Sequence, residues 1–256
     1  MTVIANVATF PGRRETLLQT LGSIAAQVDV VNLVLNEYVF IPHEVKAVAD
    51  NINCVVPPCD LKDVGKFFVP VEPEDHVFLC DDDILYPENS VATMMGLADR
   101  LDLPDALLGV HGVIYSDYYD GIPASGRLVY SFPLALERAR LVNQLGTGTV
   151  YCRGHQMPDF DFMDGSQRFV DVRFARHALE RGYPMVCIPR ASGWMRDLGA
   201  GDSIYATFTQ SMPVAVLQEV SRIGGIARLD PEASRRVRRI APLPQLRQAD
   251  QQTVPE

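Results

Sequence analysis

Residues 77–87 read VFLCDDDILYP, in which four apolar residues run directly into three consecutive carboxylates, Asp81, Asp82 and Asp83. A short apolar run of this kind reads as a buried strand. The carboxyl ends of such strands form the edge where open α/β sheets bind ligands. Adjacent aspartates repel one another, so a fold that keeps three together calls for a compensating cation. Divalent Mg²⁺ or Mn²⁺, held by one or two carboxylates and by substrate phosphates, meets that need. The competing reading is a solvated Asp-rich turn ahead of the next helix.

Working outward, the first half of the chain alternates strand and helix patterns. VIANVA (3–8) reads as a strand ended by Pro11-Gly12. Leu17, Leu18, Leu21, Ile24, Ala25 and Val28 then recur at helical spacing. VVNLVL (30–35) and INCVV (52–56) read as further strands, separated by a short helix around 42–49. Pro87-Glu88-Asn89 opens a helix with Val91, Met94, Met95, Ala98 and Leu101 on one face. This alternation predicts parallel βαβ units. After residue 105, LLGVHGVIY (107–115), RLVY (127–130), GTVYC (148–152) and VCIP (186–189) read as strands, and Phe169–Arg181 as a helix. With no repeat or linker visible, the 256 residues read as one domain with fraying expected from about 241.

Composition narrows the class. The chain is 47% hydrophobic and 21% charged, which excludes collagen-like and wholly disordered chains. No run approaches the ~18 apolar residues of a membrane span. Basic residues follow the first apolar run rather than precede it, the reverse of a secretory signal. Five scattered cysteines point to reduced thiols and a cytoplasmic protein. The net charge of −9 argues against nucleic acid as a partner. Charge is also segregated, with twelve acids against three bases over 60–105 and seven arginines over 222–247, densest as RRVRR at 235–239. The basic segment suits an anionic membrane surface at the inner face of the membrane, a homodimer contact or a solvated helix.

The chain resembles the GT-A glycosyltransferases, the large inverting class that uses nucleotide-sugar donors. The residues that carry the resemblance are VIANVATFPGRRETLLQTLGSI from residue 3, VLN (34–36), DVGKF (63–67), LCDDDILYP (79–87) and FVDVRFARHALERGY (169–183). The resemblance implies an α/β fold of GT-A type, a Rossmann-like mixed sheet flanked by helices in a single domain. It divides the chain into a donor-binding subregion (1–105), an acceptor-binding and catalytic subregion (106–215) and a basic C-terminal tail (216–256). Thr9, Phe10, Pro11 and Arg13 would frame the base and ribose, and Asn36 would lie near the base. Asp63 and Lys66 would contact base or diphosphate where the family often has an Arg-Asn pair. Asp81 would face the ribose with Asp82 beside it, and Asp83 would hold Mn²⁺ or Mg²⁺. Asp171 stands where the family has its catalytic base, with Val170-Asp171 replacing the usual Glu-Asp. The implied partners are a nucleoside-diphosphate sugar, a UDP-sugar first among them, and a glycan or lipid-linked acceptor such as a bacterial surface glycan.

The chemistry is consistent with those roles. A carboxylate at a helix N-terminus has its charged form favoured, as a base requires, though Asp161 and Asp164 compete with Asp171. Gly146-Thr147-Gly148-Thr149 would let the backbone approach the donor sugar, or simply turn into a strand. His111 reads first as a hydrogen-bonded core histidine. Trp194–Asp202 reads as a lid, with Asp197 or Asp202 as a further metal ligand. Two alternatives compete: a haloacid-dehalogenase-type phosphatase, suggested by Asp81-Asp82-Asp83-Ile84, and a non-catalytic nucleotide-sugar binder. A sugar nucleotidylyltransferase would want more glycine after the first strand than TFPGRR offers.

Overall fold

The computed structural model describes residues 1–121, 126–199 and 213–240. β1 (Val3–Thr9) passes through a 3-10 turn at Pro11–Arg13 into α1 (Arg14–Ile24), followed by β2 (Val30–Leu35), α2 (His43–Val48) and β3 (Ile52–Val55). A 3-10 stretch at Lys62–Phe67 precedes β4 (His76–Cys80), β5 (Ile84–Leu85) and α3 (Ser90–Ala98). Then come β6 (Leu107–Gly109), β7 (Gly112–Tyr115), β8 (Arg127–Tyr130), β9 (Arg140–Leu141), β10 (Gln144–Leu145) and β11 (Thr149–Arg153). The remaining elements are α4 (Phe160–Met163), α5 (Val170–Arg181), β12 (Met185–Cys187), β13 (Arg196–Asp197), α6 (Val214–Ile223) and α7 (Pro231–Val237).

Among the described residues, eight strands form one mixed sheet in the order β3-β2-β1-β4-β11-β6-β12-β9. The four strands from the βαβ half are parallel, and β11 then runs antiparallel to β4. Side chains of a strand alternate between faces, and β4 shows what this does. Phe78 and Cys80 enter the core built with Leu17, Leu21 and Ile24 of α1 and Met94 and Leu97 of α3. Val77 and Leu79 enter the opposite core, with Phe174, Ala175 and Ala178 of α5 and Val216 and Val220 of α6. Two cores on the two faces of one sheet make a single α/β domain, as the sequence pattern predicts, with the Rossmann-like mixed sheet that the resemblance implies.

The apolar run 107–115 is two strands rather than one. β6 belongs to the large sheet, while β7 pairs with β8 and β10 in a separate three-stranded sheet. The chain leaves the ladder at Val110 and His111, whose backbone N–H groups both donate to the Thr149 hydroxyl, at 3.2 and 3.0 Å. The Val110 N–H also donates to the Thr149 carbonyl, so the His111 N–H is the donor that a side chain satisfies where the strand ends.

The C-terminal segment is packed as far as it is described. Asp230 caps α7, its carboxylate accepting from the N–H groups of Glu232 and Ala233, with Pro231 at the first helical position. Ala233 and Val237 are buried in the α1/α3 core, leaving Arg235, Arg236, Arg238 and Arg239 outward. Residues 241–256 lie outside the described residues. Among the described helices, none is long and apolar enough to cross a membrane.

Candidate functional site

Strand ends and one helix start converge on a cavity of about 530 Å³. Thr9, Phe10, Arg13, Asn36, Asp63, Lys66, Asp81, Asp82, Asp83 and Asp171 all line it. Pro11 is absent from the lining; it starts the turn that directs Arg13 inward. Asp161 and Asp164 are also absent, and Asp164 instead accepts from the Gly165 N–H and the Gln167 side chain.

The three aspartates fan apart onto three partners. Asp81 meets the Lys66 ammonium, Asp82 accepts from the Thr9 hydroxyl at 2.6 Å, and Asp83 pairs with Arg13 at 2.6 Å. Protein cations and a hydroxyl therefore occupy the compensating positions that the sequence reading reserved for a metal alone. Among the described residues, no group of three or more His, Cys, Asp or Glu side chains gathers as a metal cage.

Negative charge nevertheless remains in excess. Burial, and then repulsion from Asp81 and Asp83, raises the Asp82 carboxyl to about 6 despite the bond from Thr9. Burial and Asp81 likewise raise Asp83, and Asp197 adds to the effect. Burial alone would depress Lys66, but the charge and hydrogen bond of Asp81 outweigh it and raise the ammonium above its ordinary value. Lys66 is thus a fixed cation.

Several contacts hold this edge. The Asp81 N–H donates to the Tyr86 hydroxyl at 2.9 Å, and that hydroxyl donates to the Gly148 carbonyl at 2.6 Å, joining the end of β4 to the start of β11. A Cβ at Gly148 would overlap the Asp81 carboxylate, so the close approach that glycine permits there is to Asp81. Asn6, Asn32 and Asn53 stand side by side on β1, β2 and β3. Asn53 donates to Asn32, Asn32 to Asn6, and Asn6 to the Lys66 carbonyl at 2.9 Å. This amide relay fixes the backbone that presents Lys66. Asn36 is a brace as well: its amide donates to the Lys62 carbonyl and its oxygen accepts from the Leu61 N–H.

Asp171 opens α5 on the wall of the same cavity. Its Oδ1 accepts from both the N–H and the hydroxyl of Thr147, at 2.8 and 2.6 Å. Among the described residues, no hydrogen bond engages Oδ2. Asp63 accepts from the Arg168 N–H through both oxygens, at 2.9 and 3.1 Å, tying the 3-10 stretch to the approach to α5. Glu37, Lys62 and Arg168 line the cavity with φ of 60°, 51° and 74°, a costly conformation for non-glycine residues.

His111 departs from its core reading, since it lines the cavity. Burial lowers its imidazole pKa, against the opposing effect of Asp171. His111 follows the point where β6 leaves the sheet, a break that 107–115 alone does not signal. The proposed lid is only partly described: β13 pairs with β5, and the Leu198 N–H donates to the Asp83 carbonyl at 2.8 Å. Asp202 lies outside the described residues.

No protein-family model matches the sequence, and no curated protein matches it. Solved structures do show similarity. A crystal structure of a 4-diphosphocytidyl-2C-methyl-D-erythritol synthase aligns over 80% of this chain and 96% of its own, at 12% identity and a TM-score of 0.45.

Proposed function

We propose that the protein is a metal-dependent glycosyltransferase of GT-A type. It moves a sugar from a nucleoside-diphosphate donor, a UDP-sugar first among candidates, to a glycan or lipid-linked acceptor, with inversion at the anomeric carbon. The observation that carries this reading is the meeting, in one cavity, of Asp81–Asp83, the cations Lys66 and Arg13, and the carboxylate of Asp171. A nucleotide binder alone has no use for an acid held as Asp171 is. A haloacid-dehalogenase-type phosphatase is disfavoured because the aspartates follow the fourth strand in the chain rather than the first.

In this reading Phe10, 41% exposed at the cavity wall, offers its face to the base. Thr9 and Asp81 face the ribose, with Asn36 and Asp63 bracing the wall near the base. Lys66 and Arg13 give fixed positive charge to the diphosphate. Asp83, with Asp81 beside it, offers hard carboxylate oxygens for Mg²⁺ or Mn²⁺, and the raised Asp82 and Asp83 carboxyls indicate the charge a cation would relieve. When bound, the metal neutralises charge developing on the leaving diphosphate.

Asp171 accepts the proton of the acceptor hydroxyl through Oδ2, while Thr147 fixes Oδ1. The acceptor oxygen forms its bond to the anomeric carbon as the carbon–phosphate oxygen bond breaks. The nucleoside diphosphate leaves with the electron pair.

The test is product analysis by ³¹P NMR, with nucleotide sugars and separately with nucleoside triphosphates plus sugar phosphates. Release of nucleoside diphosphate from a nucleotide sugar supports glycosyl transfer. Pyrophosphate release from a triphosphate contradicts it.

A further inference from the structure

A second cavity of about 730 Å³ opens between the β7–β8 pair and the C-terminal helices. Arg127, Arg140, Arg235 and Arg238 line it, and no Asp or Glu is among its described lining residues. In a chain of net charge −9, a wall whose described lining carries guanidinium groups and no carboxylate is locally basic. Arg235 has Glu232 at 2.8 Å on the exposed side of α7, outside the lining. The rest of the wall is strongly apolar: Leu128 and Ile226 remain 53% and 59% exposed there.

An arginine cluster on a convex surface would be an ordinary solvated face. Here the arginines border an open cleft that also presents exposed hydrocarbon, a combination that suits an anion with an apolar portion. Guanidinium forks match phosphate oxygens in pairs. Tyr115 and Arg127 line both this cavity and the one containing Asp81–Asp83 and Asp171, so the two adjoin.

We infer that this cleft binds a phosphate ester bearing an apolar chain. Resting on the glycosyl-transfer reading, it is the acceptor's anionic, lipid-like end that lodges here, leaving the acceptor hydroxyl to reach the neighbouring cavity. The required acceptor is then a phosphorylated amphiphile rather than a neutral glycan.

Isothermal titration with decyl phosphate below its micellar concentration tests this, alongside decanol and inorganic phosphate. The titrations use the full chain and the Arg235→Glu/Arg238→Glu double variant; both positions are exposed. An Arg235→Gln/Arg238→Gln variant repeats the test without charge reversal. The expected result is one saturable site at least tenfold tighter for decyl phosphate than for decanol or inorganic phosphate. Charge reversal should weaken it at least tenfold, and neutralisation by less.

Equal affinity in wild type and both variants would overturn the inference, as would decanol binding equally well. Inorganic phosphate binding as tightly would overturn it too, because the ligand would then be a free anion. UDP titration of the same proteins separates the two readings. UDP bound without decyl phosphate removes the cleft alone, and decyl phosphate bound without UDP removes the donor site alone.

Discussion

The carboxylate of Asp81, just past the end of β4, packs so closely on Gly148, just before β11, that no Cβ fits between them. Gly148→Ala therefore displaces Asp81 from Lys66. The expected cost is about 1–3 kcal/mol of stability for a forced overlap, with at least a tenfold loss of nucleoside-diphosphate affinity. Gly146→Ala is the mild control, since its Cβ would meet the His111 Cβ at 3.1 Å. Calorimetric titration and thermal melting of the two variants check the contrast.

Asp171 is held by Thr147 but touches none of the donor-side cations by any described hydrogen bond or ion pair. Asp171→Asn keeps the shape and removes the base. The expected outcome is a loss of about 10²–10⁴-fold in kcat, with nucleotide affinity within twofold of wild type. Steady-state kinetics alongside direct binding separates the two effects.

Asp82 carries a stability cost in the free protein. Its carboxyl is raised to about 6 by burial and by its two neighbours, so the ionised form at pH 7 disfavours folding. Asp82→Asn removes that charge and retains an acceptor for the Thr9 hydroxyl. Thermal and urea unfolding at pH 7 should show the variant about 2–3 kcal/mol more stable, with turnover reduced.

His177 supplies a pH dependence of known sign. Burial lowers its imidazole pKa, with the Gln156 carbonyl, 3.0 Å from Nε2, opposing the shift. The unfolded chain therefore takes up this proton more readily. Stability is full above the ordinary value of about 6.5 and falls as pH drops through it towards the folded value. His177→Gln keeps a donor for the Gln156 carbonyl. Its Tm should fall less than that of wild type between pH 7.5 and 5.5.

Much of the architecture was legible because apolar periodicity states it directly. VFLC with its three aspartates, VIANVA, VVNLVL and the Phe169–Arg181 helix each appear within a residue or two of the expected place. What escaped depends on partners distant in sequence. At the break after Val110 the His111 N–H is taken up by the Thr149 hydroxyl, and no local pattern around 110 encodes it. Tyr86 lay in plain view in the aspartate segment, but its role needs Gly148. Asn6, Asn32 and Asn53 each sit alone in an apolar strand, and only parallel register turns them into a relay ending on Lys66. That Asp171, rather than Asp161 or Asp164, faces the cavity follows from the helix start, which composition cannot distinguish.

Nucleotide binding at the aspartate cluster decides whether the cavity is a donor site. UDP, GDP, CMP and TDP would each be titrated with Mn²⁺ and with EDTA, on wild type and on Asp83→Ala. A nucleotide at ~100 times its Kd should stabilise the fold by ~2.7 kcal/mol. A donor site at the aspartates gives a metal-dependent Tm rise with one nucleoside diphosphate, lost in Asp83→Ala. A flat panel, or an equal rise in the variant, would contradict it.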